Sequence, residues 1–197
     1  MSPSEPARCS VELLPVRAEP SDGAEQVTQL VRDEPVCIEE RRGDWTRVRT
    51  GYDYPGWVRA DGLAAGTSAH ASSLEPSPGA DPVAEAQAFL GSPYEWGGMT
   101  ERGIDCSGLV HMAFRRAGRV IPRDAHQQEA AGEPVPADDL RPGDLVTYGG
   151  PEGADHIAFW LGGGRILHAT GRDGVNAVVE EAMPLELAAR VRRYVRF

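Results

Sequence analysis

Apolar residues at 109, 110, 113, 114 and 117 recur at the three- and four-residue steps of one helix face and predict a helix beginning at about Cys106. A shorter helix is expected just upstream, where Asp81 stands as cap, Pro82 takes the first position, Ala84 to Leu90 continue and Gly91 ends it. The polar run from 124 to 131 predicts a third. The pattern then turns to strands: one at 144–148 entered by the Arg-Pro-Gly-Asp turn, two in HIAFWL and RILHAT, and a last near 190–196. Helices first and antiparallel strands after make an α+β arrangement.

Upstream of residue 64 the pattern differs. VELLPVRA, EQVTQLV, EPVCIEE, DWTRVRT and PGWVRA are short segments rich in β-formers, punctuated by turn residues, which predicts a small all-β barrel with Trp45 and Trp57 as its core aromatics. Between the two regions, residues 64–82 are rich in Ala, Ser, Pro and Gly without apolar periodicity. The expected organisation is a barrel at 1–65, a linker at 66–81 and an α+β domain at 82–197.

The hairpin made by HIAFWL and RILHAT carries two histidines around Gly162-Gly163-Gly164. A three-residue turn there pairs 161 with 165 and so 156 with 170, which puts His156 diagonal to His168 on one face. A two-residue turn would put them on opposite faces. Three glycines accept the positive φ that such turns require.

Cys106 gains meaning from this pair. A lone cysteine is commonly a small core residue, but one at a helix N-terminus meets unpaired N–H groups and the positive end of the dipole, which favour thiolate and can receive an oxyanion. A thiol with two same-face imidazoles composes a cysteine-nucleophile site, with either histidine as base and the other as orienter. Zinc is the competing chemistry for these side chains, but no CxxC or HxxxH pair occurs and a fourth ligand would have to be recruited. No cofactor or metal is expected. His70 in the linker, His111 on the polar side of the Cys106 helix and His126 are read as solvated or packed.

PYEWGG (93–98), GIDCSGLV (103–110), LRPGDLV (140–146), DHIAFWLGGG (155–164) and ILHAT (166–170) resemble, in order and spacing, the NlpC family of papain-like bacterial cell-wall cysteine peptidases. GDWTRVRT and YPGWV resemble bacterial SH3-like domains. The resemblance implies a papain-like catalytic domain behind an SH3-like barrel, with Cys106 as nucleophile, His156 as base and His168 as its orienter. Tyr94 and the Cys106 N–H would hold the oxyanion. Ala158 stands where the family often has glycine. In this family the IPRDA segment before His126 lies near the substrate cleft, which implies a substrate contact as the alternative for His126. Some members with N-terminal SH3-like domains work inside the cell, recycling murein peptides, and cut after γ-D-glutamate in peptides with a free N-terminal L-alanine. Asp105 and Ser107, with Glu25 and Tyr54 (or Tyr52) from the barrel, would hold that amine; for Asp105 a helix cap is the other reading. The alternatives are a less selective cell-wall endopeptidase, an acyltransferase using the same thioester, and a non-catalytic wall-binding module, which the complete Cys-His-His set disfavours.

A formal net charge of -10 and a pI near 5.0 argue against nucleic acid, whose phosphates need clustered Lys and Arg. Three cysteines, at 9, 37 and 106, form no disulfide framework. No apolar stretch reaches the length of a membrane span, and no basic segment leads into an apolar run near the start. A cytoplasmic protein acting on a murein peptide, without membrane contact, is the expectation. Oligomeric state is not encoded in any of these features.

Overall fold

Strand alternation shapes the first part of the chain, where Trp45–Thr50 reads Trp-Thr-Arg-Val-Arg-Thr with every second residue buried. The computed structural model describes residues 5–66 and 79–197, and the chain divides into two units, Met1–Glu75 and Pro76–Phe197. Most of the expected linker lies outside the described residues, as does His70. The first unit contains β1 (Glu5–Cys9), β2 (Leu13–Arg17), β3 (Gln26–Val31), β4 (Pro35–Arg42), β5 (Trp45–Thr50), β6 (Pro55–Arg59) and β7 (Leu63–Ala65). They form one antiparallel sheet in the order β3-β2-β6-β5-β4-β1-β7, curved into a half-barrel of SH3-like type. β2 to β6 are the five expected strands. The flanking β1 and β7 pair with each other, Ala7 opposite Ala65, a long-range contact that no local pattern encodes.

The core of this unit is aliphatic, built by Leu14, Val16, Leu30, Val36, Ile38, Val48 and Val58. Trp45 is only half-buried, contrary to expectation, whereas Trp57 belongs to the buried residues as expected, at 7% exposure. Trp45 shares its strand face with Arg47 and Arg49, opposite the buried Thr46, Val48 and Thr50. Arg59 stacks over Trp45 at 4.7 Å and Arg42 over Trp57 at 4.9 Å, so guanidinium groups cover the rings.

The second unit runs α1 (Pro82–Gln87), β8 (Met99–Thr100), β9 (Gly103–Ile104), α2 (Cys106–Arg116), α3 (Ala125–Ala131), β10 (Glu133–Pro134), β11 (Leu145–Gly150), β12 (Gly153–Gly162), β13 (Arg165–Thr170), β14 (Ala177–Ala182), α4 (Leu185–Ala188) and β15 (Val191–Arg196). Asp81 caps α1 by accepting from the Val83 N–H, and α3 opens with a reciprocal Asp124–Gln127 capping box. A six-stranded antiparallel sheet has the order β10-β15-β11-β12-β13-β14. α2 packs on β12 and β13 and is enclosed from Cys106 to Phe114, with Phe114 stacked on Phe159 at 6.0 Å. His111 is therefore not on a polar face. It is fully buried, and its Nδ1 meets the Ile121 carbonyl at 2.8 Å.

The β12–β13 hairpin has the register expected of a three-residue turn by another route. Its turn is Gly163-Gly164, but a bulge between Trp160 and Gly162 absorbs one residue, so Phe159 faces Leu167 and Trp160 faces Ile166. Positive φ at Gly162, Gly163 and Gly164 permits the bulge and the turn.

Candidate active site

Cys106 is the first residue of α2, and Asp105 is its cap, accepting from the Gly108 N–H at 2.6 Å. At that position the Cys106 N–H has no acceptor within the helix. Gly108 is required by close approach: a Cβ there would stand 2.4 Å from the Gly98 carbonyl oxygen and 2.9 Å from an Asp105 carboxylate oxygen. The thiol itself faces the backbone N–H groups of Ser107 and Ile157, and Ile157 directly follows His156 on β12.

Asp105 is anchored by more than its cap. Arg123, 1% exposed, donates to its two carboxylate oxygens at 2.9 and 2.8 Å, and Gly97 donates from its backbone at 2.8 Å. Arg123 also donates to the Ser107 hydroxyl at 2.9 Å and the Gly98 carbonyl at 3.2 Å. The charge of Asp105 is thus matched within the protein, and its acceptor positions and the Ser107 hydroxyl are occupied. The structure thus shows Asp105 as the cap of α2 and the ion-pair partner of Arg123, with the Ser107 hydroxyl in the same network.

On the sheet, His156 Nε2 and His168 Nδ1 lie 2.8 Å apart with the rings edge to face. His168 Nε2 lies 3.0 Å from Glu181 Oε1, and Arg172 donates to Glu181 Oε2 at 2.8 Å. The Tyr148 ring, from the register partner of His156 on β11, packs 5.6 Å from the His156 ring. A cavity of about 370 Å³ opens beside His156, lined by Asp155, Thr170, Arg172, Glu186, Leu187 and Arg190.

Burial, then the Asp105 carboxylate, pushes the Cys106 thiol up to about 12. Burial and the neighbouring His168 hold His156 down at about 3. Both shifts favour a neutral thiol and a neutral imidazole in the unliganded site, opposing the thiolate that the helix terminus favours. A helix terminus contributes about 0.3–1 kcal/mol, whereas burial of an ion costs several. Burial, with Cys106 and Asp105 nearby, also raises the Tyr94 phenol, which stays protonated as a donor.

Comparison with known proteins finds two matching family models. Residues 91–193 match the model of the NlpC/P60 family, and residues 16–63 match a bacterial dipeptidyl-peptidase SH3 domain. The chain belongs to the NlpC/P60 family. The chain is similar to a γ-D-glutamyl-L-lysine dipeptidyl-peptidase of Bacillus subtilis, 45% identical over 84 residues, which are 41% of this chain and 28% of that relative. It thus spans only part of that relative's length. Among solved structures it resembles an NlpC/P60 family protein from Bacillus cereus, with a TM-score of 0.57 at 21% identity over 98% of this chain and 64% of that one. The peptidoglycan hydrolase RipB from Mycobacterium tuberculosis gives a TM-score of 0.52 at 32% identity, over 59% of this chain and 62% of that one.

Within this NlpC/P60 domain, the Cys106 thiol at the start of α2 meets the Ile157 N–H of β12, His156 precedes that residue and pairs with His168 of β13, and Tyr94 lies near Cys106. Glu25 and Tyr54 belong to the first unit, where the Glu25 carbonyl accepts from Ala18 and the Tyr54 N–H donates to the Thr50 hydroxyl. The Tyr52 ring lies 6.3 Å from that of Tyr54, and its hydroxyl pairs with Thr28. His126 is exposed on α3. Among the described residues no group of three or more His, Cys, Asp or Glu side chains is arranged to hold a metal ion. Sequence reading passed over Arg123, Arg172 and Glu181. Glu181 had a usable signal: β14 pairs with β13 so that Val179 faces His168, which puts Glu181 diagonal to it on the same face.

Proposed function

We propose that this protein is a cysteine peptidase that hydrolyses the γ-D-glutamyl-L-diamino acid bond of murein peptides, and that it serves cell-wall peptide recycling inside the cell. The observation that carries the reading is a thiol at the first position of a buried helix, beside the strand whose His156 is hydrogen-bonded to His168 at 2.8 Å.

In this reading His156 Nε2 is engaged by His168, so Nδ1 takes the thiol proton. The sulfur attacks the γ-carbonyl of D-glutamate, and the oxyanion is received by the Cys106 N–H and the Tyr94 phenol. His156 returns the proton to the leaving amine of the diamino acid. It then activates water, which hydrolyses the thioester and frees the thiol. Asp105 and Ser107, ordered by Arg123, are candidates for selecting a free N-terminal L-alanine. Glu25 and Tyr54 are further candidates, on the likeness of residues 16–63 to a bacterial dipeptidyl-peptidase SH3 domain.

The test is hydrolysis of L-Ala-γ-D-Glu-diaminopimelate beside its N-acetylated twin, with products identified by mass. Cleavage of the free-amine peptide by the wild type and its loss, by at least about a thousandfold, in Cys106→Ser are the expected results. Equal cleavage of both peptides would remove the free-amine part of the proposal, and cleavage of neither would overturn the substrate assignment.

A further inference from the structure

The imidazole pair raises a question of proton placement. Each neutral imidazole carries one N–H and one lone pair, and a hydrogen bond between two of them can run in either direction. If His168 donated to His156, the lone pair of His156 would be at Nε2, bound to its neighbour, and Nδ1 would carry a proton. Such a ring could not accept one from Cys106.

The far end of the line removes the ambiguity. An ionised carboxylate only accepts hydrogen bonds, so Glu181 requires a proton on His168 Nε2, 3.0 Å away. His168 Nδ1 is then a lone pair. His156 must donate to it from Nε2 across the 2.8 Å contact, and the lone pair of His156 falls at Nδ1. Arg172, at 2.8 Å, keeps the carboxylate charged. Burial opposes that charge, but Arg172 and His168 outweigh it and hold Glu181 below the usual range of a glutamate. The strand register supports the same relation, because β14 pairs with β13 through six residues and holds Glu181 diagonal to His168.

We infer that Glu181 is a positioning residue, which through the fully enclosed His168 sets the tautomer of both histidines and leaves His156 Nδ1 as the base for Cys106. The inference rests on the reading of Cys106 as a nucleophile served by His156. When His156 accepts the thiol proton, it becomes an imidazolium that still donates from Nε2 to His168. Glu181 stays ionised throughout and accepts no proton; its charge lies one imidazole away from the new cation and stabilises it. No bond to Glu181 forms or breaks.

Nitrogen NMR of the histidine rings in the intact protein, at pH 7, reads the tautomers without any substrate. The wild type should show His156 and His168 each protonated at Nε2 and bare at Nδ1. Glu181→Ala should show a mixture of tautomers at both rings, and its kcat should fall about tenfold to a hundredfold, with KM nearly unchanged because Glu181 does not touch substrate. Glu181→Gln keeps an acceptor for His168 Nε2–H and should recover part of kcat. It also serves if the alanine variant folds poorly.

Iodoacetamide alkylation of Cys106 follows the same base without requiring the right peptide. It should slow in Glu181→Ala in parallel with kcat, so a wrong substrate assignment leaves this readout intact. A wild type with Nδ1–H on His168 would overturn the inference, as would unchanged tautomers and alkylation in Glu181→Ala.

Discussion

Cys106 is held as a neutral thiol by the same enclosure that places it. Burial and Asp105 push it up to about 12 while His156 is held at about 3, so deprotonation has to be coupled to the approach of an electrophile or to proton transfer onto His156. In the free protein, alkylation by iodoacetamide should therefore be slow at pH 5 and rise continuously to at least pH 9. A flat, fast rate from pH 5 upward would mean a standing thiolate–imidazolium pair instead. At this scale the sequence is legible where chemistry and local pattern coincide: Cys106 opens a helical repeat, and His156 and His168 lie on a glycine-linked hairpin. It is illegible where a residue acts across the fold. Arg123 sits eighteen positions from Asp105 in a segment with no periodic pattern, yet it matches the Asp105 charge. The thiolate expectation leaves burial out for a related reason, since dipole direction can be read from a helix start but depth of burial cannot.

The first turn of α2 is an element fitted against its neighbours from three sides. Asp105 caps it, Gln128 of α3 donates to the Ser107 carbonyl at 3.0 Å, and the Gly98 carbonyl approaches so closely that Gly108 has no space for a Cβ. Gly108→Ala should therefore destabilise the second unit by about 1–3 kcal/mol despite the better helix propensity of alanine, since the contact is with backbone rather than a mobile side-chain end. Chemical denaturation measures it; a stabilised variant would show that α2 can shift freely at its start. The strand elements show what periodicity leaves out. β12 and β13 were readable through alternation and glycines, and the register came out as expected only because a bulge made up for a shorter turn. β14, short and written Ala-Val-Val-Glu-Glu-Ala, offers little alternation, which hides the strand and with it Glu181. β1 and β7 were missed because they are completed by pairing between distant segments.

Across the whole molecule the titratable groups are unevenly divided. All five histidines lie after residue 66, and the half-barrel has none. In the second unit His111 is fully enclosed and held neutral down to about 3 by burial and then by Arg123, and His156 is held down to about 3 as well. The unfolded chain binds these protons at about 6.5, so between pH 6.5 and 3 the unfolded state holds more protons than the folded one. Stability contributed by these groups is complete above about 6.5 and is lost as pH falls toward 3. Calorimetry at pH 7.5 and 5.0 should show the second unit's transition falling by on the order of 5–15 °C, from roughly 2 kcal/mol per fully buried histidine at most. The half-barrel's transition should move far less, because it contains no histidine. His111→Asn, whose amide can still donate to the Ile121 carbonyl, should reduce the shift of the second unit by about a third to a half. Residues 79–197 prepared alone would assign the transition if the two overlap. Equal shifts in both units, or a shift unchanged by His111→Asn, would place the acid sensitivity in the carboxylates rather than in the buried imidazoles.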